Sequence, residues 1–188
     1  MSKIVWCAFL VLACGSSVAA APRPDPWAEQ ASAEASAKLV LSQCLQRAES
    51  TPPDHSEPCV RAVYLKCESE HGTMSQHDLN DCAYFSRYAW EDRLAKLRAW
   101  LLSAKTIDAK FGEAGPMVQR FEESERHWDD WNRADCEMQA ALSEGGTMHS
   151  LEIGICLPDH AAHRARELEG MSFWWSKIYD LPGSPLYE

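Results

Sequence analysis

The residues able to do chemistry in this chain are its thiols, two spaced histidines and several paired acids. Past the first twenty positions the cysteines that remain in every mature form are Cys44, Cys59, Cys67, Cys82, Cys136 and Cys156. None of them forms a C-x-x-C, so neither a dithiol redox motif nor haem attachment is indicated. His160 and His163 stand three residues apart in His160-Ala161-Ala162-His163. That spacing can hold a transition metal, but a site needs further ligands, and the sequence supplies none at a recognisable spacing. Two exposed histidines on a helix are the plainer reading. Asp129-Asp130 and Glu122-Glu123 are adjacent. On a helix such neighbours diverge by about 100° and do not converge on one substrate. Gly-x-Ser-x-Gly and phosphate-binding loops are missing from the sequence. The reading is therefore of a protein that is not an enzyme, with no catalytic residue, no metal and no cofactor. Its cysteines are left for disulfides.

The amino terminus supports that use. Lys3 is followed by the apolar run Ile4 to Ala13 and the small residues Ser16 to Ala21. This is the layout of a secretory signal over 1–20, and the run is too short to span a bilayer. Two processing routes fit. Val18 and Ala20 suit cleavage before Ala21, giving a periplasmic or secreted protein. Val11-Leu12-Ala13-Cys14 resembles a lipobox, in which Cys14 would be lipidated and anchored at the outer membrane. Both routes lead to an oxidising compartment and leave the six later cysteines even in number, which predicts three disulfides. Six thiols allow fifteen pairings. Pairing of neighbours is favoured: Cys44 with Cys59, Cys67 with Cys82, Cys136 with Cys156. Each pair would tie one helix across a turn to the next. Closing a loop of about 15 residues stabilises by roughly 3 kcal/mol.

Charge excludes one class of partner. The formal net charge is −10, and loss of Lys3 with the signal makes it −11. Nucleic acid requires a basic face. An acidic exported protein can attract a cationic partner, or its charge serves solubility alone.

The elements that must carry these residues read as helices. Asp25-Pro26-Trp27 opens the first, which stops before Thr51-Pro52-Pro53. A short helix follows from about Glu57 to Ser69. Ser75 and Asp78 form a capping box for a third helix, which ends near Lys105. Its apolar stripe is Leu79, Ala83, Trp90, Leu94, Leu97 and Leu101, with Arg87, Asp92, Arg93 and Lys96 off it. After a connector at Gly112 to Pro116, a fourth helix carries Val118, Phe121, Trp128, Trp131, Met138 and Leu142 and stops at Gly145-Gly146. On it Trp128 and Trp131 read as core anchors, and Asp129 and Asp130 as a solvated face. The last helical region spans about His149 to Glu169 and should kink or split at Pro158. The residues from 170 to 188 read as an aromatic, irregular tail. No stretch alternates long enough to demand a sheet. The fold class is all-α: disulfide-stapled helical hairpins in a small bundle of about five helices, in one domain.

Several of these residues fall into a known pattern. Ser75 to Ala83, SQHDLNDCA, resembles the T-Q-x-x-M-N-x-C-A opening of the lysozyme inhibitor LprI-like N-terminal domain, with Gln76, Asn80, Cys82 and Ala83 matching. Leu94 matches a leucine of the long helix. WDDWNRADC resembles W-x-x-Y-R-x-A-x-C, through Trp128, Trp131, Ala134 and Cys136. Gly145-Gly146 matches a glycine pair, and Cys156, Leu157, Arg164 and Leu168 fit the closing motif. Glu125 stands where the family has glutamine, Asn132 where it has arginine, and Ala161 where it has threonine. The resemblance implies a domain over 67–169, with 21–66 as a helical extension packed on it. It also implies a partner: a c-type lysozyme or another cationic envelope protein. A blocking loop would have to bring a hydrogen-bond donor or a basic side chain, and not only acids, to the two carboxylates of a lysozyme cleft. The connector Ile107 to Pro116, with Lys110, and the Gly145-Gly146 turn, with Thr147 and His149, are the two candidates. A structural or accessory envelope module without inhibitory activity is the other reading.

Overall fold

The computed structural model describes residues 26–48, 59–103 and 115–179. The signal and lipobox positions and the connector with Lys110 lie outside them. The described chain forms α1 (Pro26–Arg47), α2 (Ala62–His71), α3 (Gln76–Ser103), α4 (Gly115–Gln139) and α5 (Met148–Tyr179). A 3-10 turn, Ala140–Ser143, joins the last two. No strand occurs among the described residues, so the fold is all-α.

The helices form where local chemistry starts and stops them. Ser75 and Asp78 cap α3 reciprocally: the Ser75 amide donates to Asp78 Oδ2 at 2.7 Å and the Asp78 amide to Ser75 Oγ at 3.3 Å. The Ser75 hydroxyl, donating to Asp78 Oδ2 at 2.7 Å, and the Ser75 amide hold the Asp78 carboxyl below its ordinary value. Gly72, at φ +63°, turns the chain out of α2 in a conformation that favours glycine.

The core lies between α3 and α5, with α1 and α2 laid against α3. Ala37, Leu41 and Leu45 of α1 recur every fourth residue and are buried. They join Trp90, Leu94, Leu97 and Leu101 of α3 and Ala161, Ala162, Ala165 and Leu168 of α5 in one cluster. Trp90 is fully buried, and its indole N–H donates to Val60 O at 3.1 Å. Small residues let α3 and α5 approach. A Cβ added at Gly154 would lie 3.1 Å from Ala83 Cβ, tighter than ordinary contact.

Three disulfides join Cys44 to Cys59, Cys67 to Cys82 and Cys136 to Cys156, with Cα–Cα distances of 5.7, 5.5 and 5.6 Å. Of the fifteen possible pairings, the structure has the nearest-neighbour one.

Four expectations are corrected. Pro158 does not split the last helix; it sits buried inside the 32 residues of α5. The bond it forgoes is the one to the Gly154 carbonyl. An interior proline costs about 3 kcal/mol, and packing of α5 on α3 on both sides of Pro158 offsets that. Residues 170–179 are helical rather than irregular. Met171 and Trp175, four apart, pack on the core, and Ser172 is buried with its hydroxyl donating to Glu169 O at 2.9 Å. Arg93 is not off the α3 stripe but buried, paired with Glu169 of α5 at 3.0 Å. Finally, Trp131, Met138 and Leu142 do not face the core. The inward face of α4 runs Phe121, Glu125, Trp128, Asn132, Cys136 and Ala140. Two of those six are polar, so a search for apolar spacing misses the face.

Candidate protein-binding site

The polar residues of α4 are spent first on docking the helix. Glu125, buried, accepts from Arg98 Nε of α3 at 2.6 Å through one oxygen. Its other oxygen accepts from Arg164 of α5, whose Nε lies at 3.1 Å. Arg98 reaches Asp129 at 2.9 Å and lies over the Trp128 ring, 5.5 Å from its centroid. Arg164 also reaches Glu167 at 2.5 Å. Burial alone would lower the Arg164 guanidinium. The bonds to Glu125 and Glu167 outweigh it and hold the group above its ordinary value, so it stays charged. One carboxylate thus bridges two arginines on two helices, a geometry suited to fixing the angle at which α4 leaves the bundle.

The strip continues toward the third disulfide. His160 Nδ1 lies 2.9 Å from Asn132 Oδ1, so the ring donates to the amide oxygen. The ring stacks on Trp131 at 5.0 Å between centroids. It also lies within 3.7 and 3.8 Å of the Cys136 and Cys156 sulfurs. Trp131 is therefore a half-exposed lid over His160 rather than a core anchor. Cys136, Cys156 and His160, and likewise Cys67, Cys82 and His71, group atoms that could surround a metal ion. In both groups the sulfurs are committed to disulfides and offer no thiolate. His163 is exposed and apart from His160.

The remaining motif residues lie elsewhere in the fold. Leu94 and Leu168 are core residues. Gln76 and Asn80 are half-buried at the start of α3, and Gln76 Nε2 donates to Asn80 Oδ1 at 3.4 Å. Sequence reasoning missed Arg98, whose neighbours on α3 gave no sign that it would cross to α4. It singled out Glu125 only as a departure from the family pattern.

Beside this strip is a cleft of about 290 Å³ lined by Leu94, Arg98, Trp128, Asp129, Asn132 and Leu157. Arg98, Asp129 and Asn132 are already bonded to protein partners, and Glu91, which also lines the cleft, accepts from Arg87. A surface is the stronger candidate. From Glu122 to Glu152 the chain holds nine carboxylates against two arginines, a net −7 of the whole chain's −10. This stretch is the outer length of α4, the 3-10 turn and the first turn of α5. At its far end Met138, Leu142 and Met148 are exposed. The negative charge is gathered on one hairpin, not scattered.

A search of curated proteins and a search of solved structures find no match. The family model described as Lysozyme inhibitor LprI matches residues 67–168. That span begins at Cys67 and ends at Leu168. It holds all of α3, α4 and the 3-10 turn and most of α5, and it covers more than half of the chain. The chain belongs to the LprI lysozyme inhibitor family.

Proposed function

We propose that this protein is exported and acts as a protein-binding inhibitor of a cationic, lysozyme-type cell-wall hydrolase. The observation that carries this reading is the concentration of acid on the α4–α5 hairpin, net −5 once Glu125 and Asp129, paired with arginines, are set aside, inside the family-matched span. A gathered field of one sign steers an oppositely charged partner and speeds the encounter more than the same charge spread evenly. Three disulfides and the absence of a membrane-crossing helix among the described residues fit a protein that works outside the cytoplasm. The signal over 1–20 would deliver it there, either free after cleavage or held by lipid on Cys14. The polar strip at Arg98, Glu125 and Arg164 has the role of holding the hairpin at a fixed angle, and no catalytic role.

The test is a turbidity assay with mature protein, a c-type lysozyme and bacterial cell walls. Lysis should slow in proportion to occupancy. The association rate should fall as salt rises from about 50 to about 200 mM, where the Debye length is below roughly 15 Å. A residual salt-resistant affinity from buried contacts should remain. A protein that binds at low salt but never slows lysis is not an inhibitor, and the accessory-module reading then replaces this one.

A further inference from the structure

The tip of the α4–α5 hairpin is braced on several sides yet presents side chains that nothing covers. The Cys136–Cys156 disulfide crosses just behind it. The Gly146 amide donates to Ser143 O at 2.9 Å, and Ser143 Oγ donates to Ala140 O at 2.9 Å. His149 Nδ1 lies 2.9 Å from the same Ala140 oxygen, so its ring is spent on the turn and is not a free donor for a partner. Gly145, at φ +77°, permits the reversal. A turn so tied has lost its conformational freedom on folding rather than on binding, which is what a tight interface needs.

On this frame Leu142 is 101% exposed, Met138 63% and Met148 45%. One exposed leucine is ordinary. Three large exposed apolar side chains on one braced tip, with the exposed Glu137, Glu144 and Glu152 on the same turns, have the makings of an interface: apolar groups among charged ones. Resting on the inhibitory reading above, we infer that this tip is the surface that engages the hydrolase. Leu142 is its anchor, with Met138 and Met148 on the adjoining turns; the neighbouring acids face a basic rim, and the tip covers the cleft by apolar contact rather than by a donor to its two carboxylates. The charge fixes the occupant. A second copy of this chain would set the carboxylates of Glu137, Glu144 and Glu152 against their own like, whereas a cationic enzyme brings the opposite sign.

The experiment compares Leu142→Asp with Ile178→Asp in the full mature chain. Ile178 is 64% exposed near the other end of α5, so it controls for loss of an exposed apolar side chain. Both variants should keep the wild-type melting temperature. Leu142→Asp should weaken inhibition about thirtyfold or more, the effect of losing a hot-spot residue. Ile178→Asp should change it less than about twofold, as a residue outside the interface does. If the wild type inhibits and Leu142→Asp inhibits equally well, the tip is not the interface, while the inhibitory reading stands. If the wild type does not inhibit, that reading fails and takes this assignment with it. Sedimentation that finds a dimer in the wild type and a monomer in Leu142→Asp would assign the tip to self-association and overturn the proposal.

Discussion

The trunk and the arm of this molecule are held by different forces. The trunk is α1, α2, α3 and the second half of α5, and it contains most of the large buried apolar side chains, Trp90, Leu97, Leu101 and Leu168 among them. The arm is α4, the 3-10 turn and the start of α5. Its inward face is fixed by Glu125 between two arginines, by Asn132 with His160, and by one disulfide. Each region also has an ion pair, and the two pairs differ in the same sense. Arg93–Glu169 is buried, with Glu169 fully buried and no hydrogen-bond partner to its Oε2 among the described residues. Arg98–Glu125 opens toward the rim through the exposed Asp129. A helix docked by directional polar contacts and a covalent link need not bury all of its apolar side chains to stay in place. That leaves Met138 and Leu142 available at the tip. The difference teaches that the arm's exposed apolar groups are not a failure of packing, because polar contacts and a disulfide share with Phe121 and Trp128 the work of holding the arm.

The largest effect should come from the trunk. Trp90→Ala removes a fully buried indole and its bond to Val60 O, and should cost about 3–5 kcal/mol in urea unfolding. Trp128→Ala removes a half-buried ring under Arg98, and should cost about 1–2 kcal/mol. Equal costs for the two would break the comparison, since the arm would then depend on apolar burial as the trunk does.

Next come the disulfides, which test the same contrast in function. Cys136→Ser/Cys156→Ser and Cys44→Ser/Cys59→Ser open loops of similar separation, 20 and 15 residues. Each should therefore cost about 3 kcal/mol by the chain-entropy argument. Their effects on lysozyme inhibition should diverge. The arm variant loses the brace behind the tip and should inhibit at least about tenfold more weakly, because the turn must now be ordered on binding. The trunk variant should inhibit within about twofold of wild type at a temperature where both remain folded, its site being distant from the interface. Equal loss in both would mean that the tip needs global stability rather than local bracing.

Much of the trunk was legible in the sequence, and the arm was legible mainly in outline. Leu94, Leu97 and Leu101 sit at helical spacing in a chain without competing alternation, so their burial follows directly. The capping box at Ser75 and Asp78 is a local signal and formed as read. Proximity along the chain favoured the disulfide pairing without fixing it, and the structure has the favoured one. The face of α4 did not follow, because Glu125 and Asn132 are buried through partners on other helices, and no local pattern announces Arg98 or His160 as those partners. Trp131 and Leu142 misled for the converse reason. Spacing says which residues share a stripe, and only tertiary contacts say whether that stripe is covered. Residues 170–179 misled through composition, since the spacing of Leu168, Met171 and Trp175 continues the helix beneath an aromatic-rich surface. The proposed interface was reachable only as one of two loops. What favours the Gly145-Gly146 turn is the exposure of Leu142 and the bonding of His149, neither of which a sequence displays.

The smallest effect should be at the trunk's surface, where α1 meets α3 through charge. Lys38 Nζ lies 2.7 Å from Asp92 Oδ1, and Lys96 Nζ lies 3.2 Å from Asp92 Oδ2. Burial pushes the Asp92 carboxyl up, but the bonds from Lys38 and Lys96 outweigh it and hold the carboxyl below its ordinary value. A carboxyl with a depressed folded-state pKa favours the folded chain wherever the unfolded chain has already ionised, above about pH 4. That contribution is lost as pH falls through the folded value. The pair is partly exposed and screened by solvent, so Asp92→Asn should cost under about 1 kcal/mol at pH 7. Toward pH 2 the wild type progressively loses this contribution, and the cost should shrink. Urea unfolding of wild type and variant at the two pH values isolates this one group, because every other titration is common to both proteins. A cost at pH 7 as large as that of Trp90→Ala would mean that charge holds α1 to the trunk as it holds α4. The division between an apolar trunk and a polar-docked arm would then be lost.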